Sequence, residues 1–155
     1  MRRAAVSQNS AKRRSRDGGK DFWRFAHSLD EMSEADRIEL IKTGIAAGVA
    51  ETAKRVFGLT NQEIGKLLSL SVASYERRRR YEKDLGKTAS ERLDRIASVA
   101  ILAEKVLEDR LAASEWLTSN NFMLGGISPL MHCETEIGAR QVRRILRAID
   151  WGGVA

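Results

Sequence analysis

Apolar residues recur every three or four positions in several separate segments of the chain, the spacing that places them on one face of an α-helix. Most of these segments begin with Ser, Thr or Asp, which cap helix N-termini, and Ser128-Pro129 marks one further helix start. No segment shows the alternation of a strand. The predicted helices cover about 33–43, 45–57, 60–68, 72–80, 88–108, 109–117 and 136–149. The sequence therefore predicts an all-α fold.

Two of the predicted helices are short and are separated by only three residues. Thr60 and Glu63 form a capping box that starts the first, and Ser71 caps the second, which ends in four consecutive arginines. This pair indicates a helix-turn-helix. Gly65 supplies a small residue where the helices approach, whereas Ser69 stands where a turn glycine is common. The apolar residues expected to set the crossing angle are Ile64, Leu68, Leu70, Val72 and Tyr75.

The second helix of the pair is expected to enter the major groove of double-stranded DNA. Its N-terminal residues and Arg77 would lie nearest the bases, while the later arginines would hold phosphates. The expected DNA-binding residues are Thr60, Gln62, Ser71, Val72, Ala73, Ser74, Arg77, Arg78, Arg79 and Arg80.

Operators for such proteins usually consist of two half-sites, so we expect a homodimer or a larger assembly. The long helix predicted over 88–108 has an apolar stripe wide enough to serve both the core and a partner chain. That stripe consists of Leu93, Ile96, Ala100, Ala103 and Leu107.

The formal net charge of +6 is unevenly distributed. Residues 1–20 hold seven Lys and Arg against one Asp and lack apolar periodicity, so we interpret them as a disordered basic tail. Contact with nucleic acid and a merely solubilising role remain equal alternatives for this tail. Residues 51–95 carry a second excess, with eleven basic and seven acidic groups. Charge thus adds weight to DNA as a partner.

The domain organisation that follows has three parts. After the tail 1–20 comes a helix-turn-helix domain over 21–87, and then a small helical domain over 88–155. The aromatic cluster from Phe22 to Phe25 is expected to pack onto the body, and Trp116 is interpreted as a core residue.

The residue patterns expected of an enzyme are missing. No glycine-rich nucleotide loop is present, and His132 and Cys133 are helix neighbours that would point about 100° apart. Two histidines and one cysteine cannot form a structural zinc site. We expect no catalytic residue, metal, cofactor or small-molecule substrate, and Cys133 is interpreted as a small buried hydrophobe. The lone cysteine and the lack of a run of ~20 apolar residues favour a cytoplasmic protein without a membrane span.

An ordered set of motifs near the C-terminus has a clear parallel in a known family. In order these are Ala112-Ala113, Trp116-Leu117, Asn121, Leu124-Gly125-Gly126, Ser128-Pro129-Leu130, Glu136, Gly138-Ala139 and Val142. With the upstream Gly58-Leu59-Thr60 and the run from Ser71 to Arg78, they make the chain resemble Xre/ParS/MbcA antitoxins over some three quarters of its length. Cys133 departs from the usual larger aliphatic, and the ending 151–155 is a variant of the family's glycine-valine-aromatic terminus.

The resemblance implies that the helix-turn-helix is Cro/Xre-like and is followed by a helical toxin-binding domain. It also implies a RES-domain toxin that consumes NAD as the partner, and repression of a shared operon. Trp151 is expected to anchor the glycine-rich tail in the toxin, because glycine permits close backbone approach. The expected toxin-binding residues are Asn121, Gly125, Gly126, Asp150, Trp151, Gly152, Gly153, Val154 and Ala155.

Three other interpretations remain open. A stand-alone phage-type repressor would use residues 90–155 only for dimerisation and would have no adjacent toxin gene. An adaptor with a decayed helix-turn-helix would bind no operator, and an enzyme is the most remote possibility.

Overall fold

Nine α-helices and one short 3-10 helix build the protein, and no strand is present within residues 22–152, the part that the computed structural model describes. The helices are α1 Phe22–Asp30, α2 Glu34–Thr43, α3 Ala47–Val56, α4 Asn61–Leu68, α5 Val72–Arg80, α6 Lys87–Leu107, α7 Arg110–Thr118, α8 Pro129–His132 and α9 Glu136–Asp150, with the 3-10 helix Phe122–Leu124 between α7 and α8. The all-α prediction is confirmed. The predicted disordered tail 1–20 and the tail residues Gly153, Val154 and Ala155 lie outside the described residues.

Short polar side chains start many of these helices, as the sequence predicts. In each case the side-chain oxygen accepts a hydrogen bond from the backbone N–H three residues later, which satisfies one free donor of the first turn. The capping residues predicted and found are Ser33, Thr60, Ser71, Asp109 and Ser128. The capping box of α4 is complete, because the Glu63 carboxylate also accepts from the Thr60 N–H at 2.8 Å.

The predicted capping box at Thr88 is wrong. The helix α6 begins one residue earlier, with Gly86 as its N-cap and no side-chain hydrogen bond there. Ser90 from the same segment is fully buried and accepts a hydrogen bond from the Ile45 N–H at 2.9 Å. Its hydroxyl also lies 3.3 Å from the Leu85 carbonyl, to which it donates. Ser90 therefore joins the start of α6 to the loops that precede α3 and α6.

The helix α6 lies at the centre of the molecule, with α1, α2, α4, α7 and α9 packed against it. A single core cluster includes buried side chains from α1 through α9. The predicted stripe of α6 lies within this core: Leu93, Ile96, Ala100 and Ala103 are buried, and Leu107 packs partly buried against it. The expectation that this stripe also serves a partner chain is wrong, because its surface is already covered by the chain's own helices.

The aromatic cluster at 22–25 packs onto the body as expected, and it does so on a helix, α1, that the sequence did not predict. Phe22 is fully buried and meets the Phe57 ring edge-on, with centroids 5.1 Å apart. On the polar side of α1, His27 lies 2.8 Å from Glu104. These contacts attach the N-terminal helix to the end of α3 and to the C-terminal half of α6.

The C-terminal helices pack closely around a glycine. A Cβ added at Gly138 would lie 1.8 Å from the His132 carbonyl oxygen, so only glycine fits there. Trp116 is partly buried against the core, as expected. Cys133 is also a buried residue, and burial raises the pKa of its thiol to about 12. Ile137, in the first turn of α9, is 66% exposed.

Candidate functional site

The turn between α4 and α5 is held by close backbone approach. Gly65 of α4 faces the turn, where an added Cβ would lie 2.7 Å from the Leu70 carbonyl oxygen. The Leu70 N–H in turn donates to the Gly65 carbonyl at 2.8 Å. Ser69 adopts the left-handed conformation, with φ 57°, which glycine would adopt without strain. Gly65 is therefore needed where α4 approaches the turn that leads into α5.

One residue anchors α5 to the body of the protein. Tyr75 is fully buried, and its hydroxyl donates a hydrogen bond to the Glu51 carboxylate of α3. Burial first, and then this hydrogen bond, raise the pKa of Tyr75. The predicted packing residues Ile64 and Leu68 are buried as well, whereas Val72 is only half-buried.

The opposite face of α5 is open. Ala73, Arg77 and Arg80 are exposed and are spaced by four and three residues, so they form one row along the helix. Within residues 22–152, the side chains of Arg77 and Arg80 make no hydrogen bond or ion pair. These two guanidinium groups are thus available to an anionic ligand.

The other two arginines of the run flank Tyr75 and point towards the body. Arg78 is half-buried, and its Nη1 donates to the Asp84 carbonyl at 2.6 Å. Arg79 forms an ion pair with Glu51 across 3.7 Å. Arg78 therefore holds the loop after α5. Arg79 pairs with the same Glu51 carboxylate that accepts the hydrogen bond of Tyr75.

The remaining predicted DNA-binding residues differ in exposure and in whether their side chains cap a helix. Thr60 and Ser71 are exposed, and their hydroxyl oxygens cap α4 and α5. Gln62 is exposed in the first turn of α4, and Ser74 is half-buried. Arg55 of α3, outside the predicted set, is 71% exposed and lies 3.9 Å from Glu51.

A second cluster of predicted residues shapes the loop between α7 and α8. The Asn121 side chain accepts from the Met123 N–H at 2.9 Å, and the Asn121 carbonyl accepts from the Gly126 N–H at 2.9 Å. Gly125 and Gly126 have φ of 71° and 83°, and an added Cβ at either would meet nothing within 4 Å. Asn121, Gly125 and Gly126 therefore set the backbone of the loop.

That loop displays apolar side chains which the sequence reasoning did not single out. Phe122 is 96% exposed and Met123 is 61% exposed, and Ile127 is also open to solvent. Large apolar side chains exposed together on one short loop are typical of an interaction surface.

The outer face of α9 continues to the C-terminus of the described chain. Ile137, Arg140, Arg144 and Arg147 are exposed along it, at helical spacing. Asp150 is the last residue of α9, so the predicted tail begins one residue later than expected. Trp151 follows as the C-cap and is 88% exposed, while Gly152 has φ 84°.

Within 22–152, no group of three or more His, Cys, Asp or Glu is placed to hold a metal ion. None of the helices in that range is both long enough and apolar enough to cross a membrane.

Comparison with protein families identifies both halves of this arrangement. Residues 36–98, which include α4 and α5, match the antitoxin Xre-like helix-turn-helix domain. Residues 102–152, which include the exposed loop, α9 and Trp151, match the antitoxin Xre/MbcA/ParS C-terminal toxin-binding domain. The chain belongs to the Xre/MbcA/ParS antitoxins. Neither matched family is an enzyme family. No curated protein matches the sequence.

The two matched domains of this Xre/MbcA/ParS antitoxin meet inside α6 and share contacts. Arg95 of the first domain donates to the Glu136 carboxylate at 3.1 Å and to the Glu134 carbonyl at 3.1 Å. Lys66 of α4 lies 3.8 Å from the Glu134 carboxylate. The division at residue 87 stays a prediction.

Proposed function

We propose that this antitoxin neutralises a RES-domain toxin that consumes NAD, in the cytoplasm, and represses its own operon by binding operator DNA. The observation that carries the proposal is the exposure of Trp151, at 88%, at the end of a toxin-binding domain. The match over 102–152 also favours an antitoxin over a stand-alone repressor.

The C-terminal segment is suited to enter a cleft. The last turn of α9 holds Trp151 in place, because the Trp151 N–H donates to the Arg147 carbonyl at 3.1 Å. A large aromatic side chain on an ordered helix end is ready to fill a pocket, and such residues are frequent interface hot spots. Gly152 and Gly153 then let the backbone approach the walls of the cleft closely.

Truncation tests this role. Removal of residues 151–155 should leave a protein that folds and binds operator DNA but no longer protects cells from the toxin encoded beside its gene. Loss of a buried aromatic anchor costs ~2 kcal/mol or more, which is roughly a thirtyfold loss of affinity. A Phe122→Ala variant of full length is the control for the exposed loop. Full protection by the truncated protein would assign inhibition to the domain around Trp116 and Gly125-Gly126.

The DNA-binding half of the proposal rests on the open face of α5. Arg77 lies one turn after Ala73 on this face and is the side chain best placed to reach a base edge, whereas Arg80 at the helix end suits a phosphate. Arg77→Ala should relax sequence preference. The double variant Arg77→Ala with Arg80→Ala should weaken binding to all DNA and reduce the salt slope by about one unit for each phosphate that is no longer neutralised. Unchanged binding of promoter fragments by this double variant, across a salt titration, would show that α5 is not the DNA-binding helix.

A symmetric operator requires at least a dimer, so we propose that the protein forms one. The dimer interface would lie outside the stripe of α6, which is buried in the core. Sedimentation of a monomer alone at micromolar concentration would contradict this.

A further inference from the structure

The outer face of α9 carries a row of arginines between two exposed apolar residues. Arg140, Arg144 and Arg147 are spaced by four and three residues, with Ile137 before them and Trp151 after them. At 1.5 Å per residue the row and its flanks extend over roughly 20 Å. The opposite face of the same helix, with Val142 and Leu146, is fully buried in the core. We name Arg140, Arg144 and Arg147 the α9 basic row.

The α9 basic row has no anionic partner within residues 22–152, where none of its three side chains forms a hydrogen bond or ion pair. Arg143 on the same helix differs, because it is bound to Glu136 at 2.8 Å. Like charges three and four residues apart on a helix repel one another, which an anionic partner would relieve. Residues 96–155 hold six basic and seven acidic groups, so the row does not reflect a generally basic domain.

We infer that the α9 basic row docks on an acidic surface of the toxin, beside the cleft that receives the C-terminal tail. This inference rests on the proposed function. Three observations specify the occupant: the row lies within the toxin-binding domain, it is positively charged, and it leads directly to Trp151. If Trp151 enters a cleft, Arg147 lies about 6 Å and Arg140 about 16 Å back along the helix, over the rim of that cleft.

A protein surface fits this face better than DNA does. Ile137 is 66% exposed and Trp151 is 88% exposed, and apolar groups flanking the charges suit the mixed surface of a protein. The arginines available for DNA, Arg77 and Arg80, lie in the other matched domain.

The test compares two full-length variants that each lose three positive charges. Arg140→Ala, Arg144→Ala and Arg147→Ala are combined in the first, and alanine favours the helix, so α9 should persist. The control combines Lys12→Ala, Arg13→Ala and Arg14→Ala. Binding of each to the purified product of the neighbouring toxin gene is measured by calorimetry at low and high salt, with operator binding measured in parallel.

We expect the α9 variant to bind the toxin at least about tenfold more weakly at low salt, with a smaller dependence on salt, because charge pairs across an interface are screened. The toxin affinity of the control variant should stay within about twofold of that of the unmodified chain. Operator binding by the α9 variant should be unchanged. Toxin binding by the α9 variant equal to that of the unmodified chain overturns the inference and leaves the proposed function intact. If the α9 variant loses DNA binding but binds the toxin normally, the α9 basic row binds nucleic acid. That result also overturns the inference. If the unmodified chain does not bind the toxin, the proposed function fails, and the inference fails with it.

Discussion

Four consecutive arginines at the end of α5 lie on two different sides of the helix. Each residue turns about 100° around the helix axis from the one before it, so a run of identical side chains points in several directions. Arg77 and Arg80 fall on the open face, while Arg78 and Arg79 fall beside the buried Tyr75. A role in DNA binding is therefore a property of the individual position in this run.

The contrast between Arg78 and Arg80 gives a matched pair of variants. Arg78→Ala removes the donor to the Asp84 carbonyl and should lower the free energy of unfolding by roughly 1–2 kcal/mol. Arg80→Ala should change that free energy by less than about 0.5 kcal/mol, because the side chain is exposed. It should weaken DNA binding instead. Urea unfolding and a salt titration of operator binding distinguish the two effects. Equal stability losses would show that Arg78 does not hold the loop.

The buried thiol of Cys133 predicts a pH effect. Its pKa is raised to about 12 in the folded protein, mainly by desolvation, so the folded thiol keeps its proton where the unfolded thiol begins to lose it. Ionisation then stabilises the unfolded chain, and stability should decline as the pH rises above about 9. Cys133→Ala should show less of this decline in urea unfolding at pH 8 and pH 10. An identical decline in both proteins would assign it to other groups.

At the scale of single helices, the sequence predicted those whose start is a local event. Thr60, Ser71 and Asp109 cap helices through atoms only three residues away, so a local pattern suffices. The helix α1 was missed because its short apolar run, with Phe22, gains order from a ring contact with the distant Phe57. The predicted capping box at Thr88 was also wrong because of a long-range contact. The hydrogen bond from the distant Ile45 N–H to the buried Ser90 hydroxyl fixes the helix start.

The candidate interfaces were predicted unevenly for a related reason. The position of Trp151 after the last predicted helix pointed to an exposed aromatic residue. The exposure of Phe122 and of the α9 basic row could not be read from the sequence, because it depends on which face of each element the rest of the chain covers. The net charge of residues 96–155 gives no sign of the α9 basic row either, because acidic groups elsewhere in this range balance its arginines.

The buried hydroxyl of Ser90 provides a test at the level of α6. Ser90→Ala leaves the Ile45 N–H without its acceptor in a buried place and should cost about 1–3 kcal/mol of stability. Thr88→Ala is the control from the same first turn, where an exposed side chain caps nothing. It should change stability by less than about 0.5 kcal/mol. The two variants are compared by thermal and urea unfolding. A larger loss of stability from Thr88→Ala than from Ser90→Ala would show that Thr88 does cap α6.

At the scale of the whole molecule, one core serves both matched domains. The helix α6 belongs to the first domain at its start and to the second at its end, and Arg95 joins the two by contacts with Glu134 and Glu136. No linker separates the helix-turn-helix domain from the toxin-binding domain.

The shared core predicts one cooperative unfolding transition. Urea unfolding followed by tryptophan fluorescence, which reports on Trp23 and Trp116, should coincide with the loss of helical circular dichroism. A Trp151→Phe variant removes the signal of the exposed tryptophan and serves as the control. Two separated midpoints would show that the domains unfold independently.

The continuity of α6 also links the lifetimes of the two proposed activities. If the chain unfolds in one step, a protease that cuts only the opened chain meets no intermediate in which the helix-turn-helix domain survives alone. Under the proposed function, degradation would then free the toxin and clear the promoter in the same event. The cell could replace the antitoxin only by transcribing the operon that this loss had released.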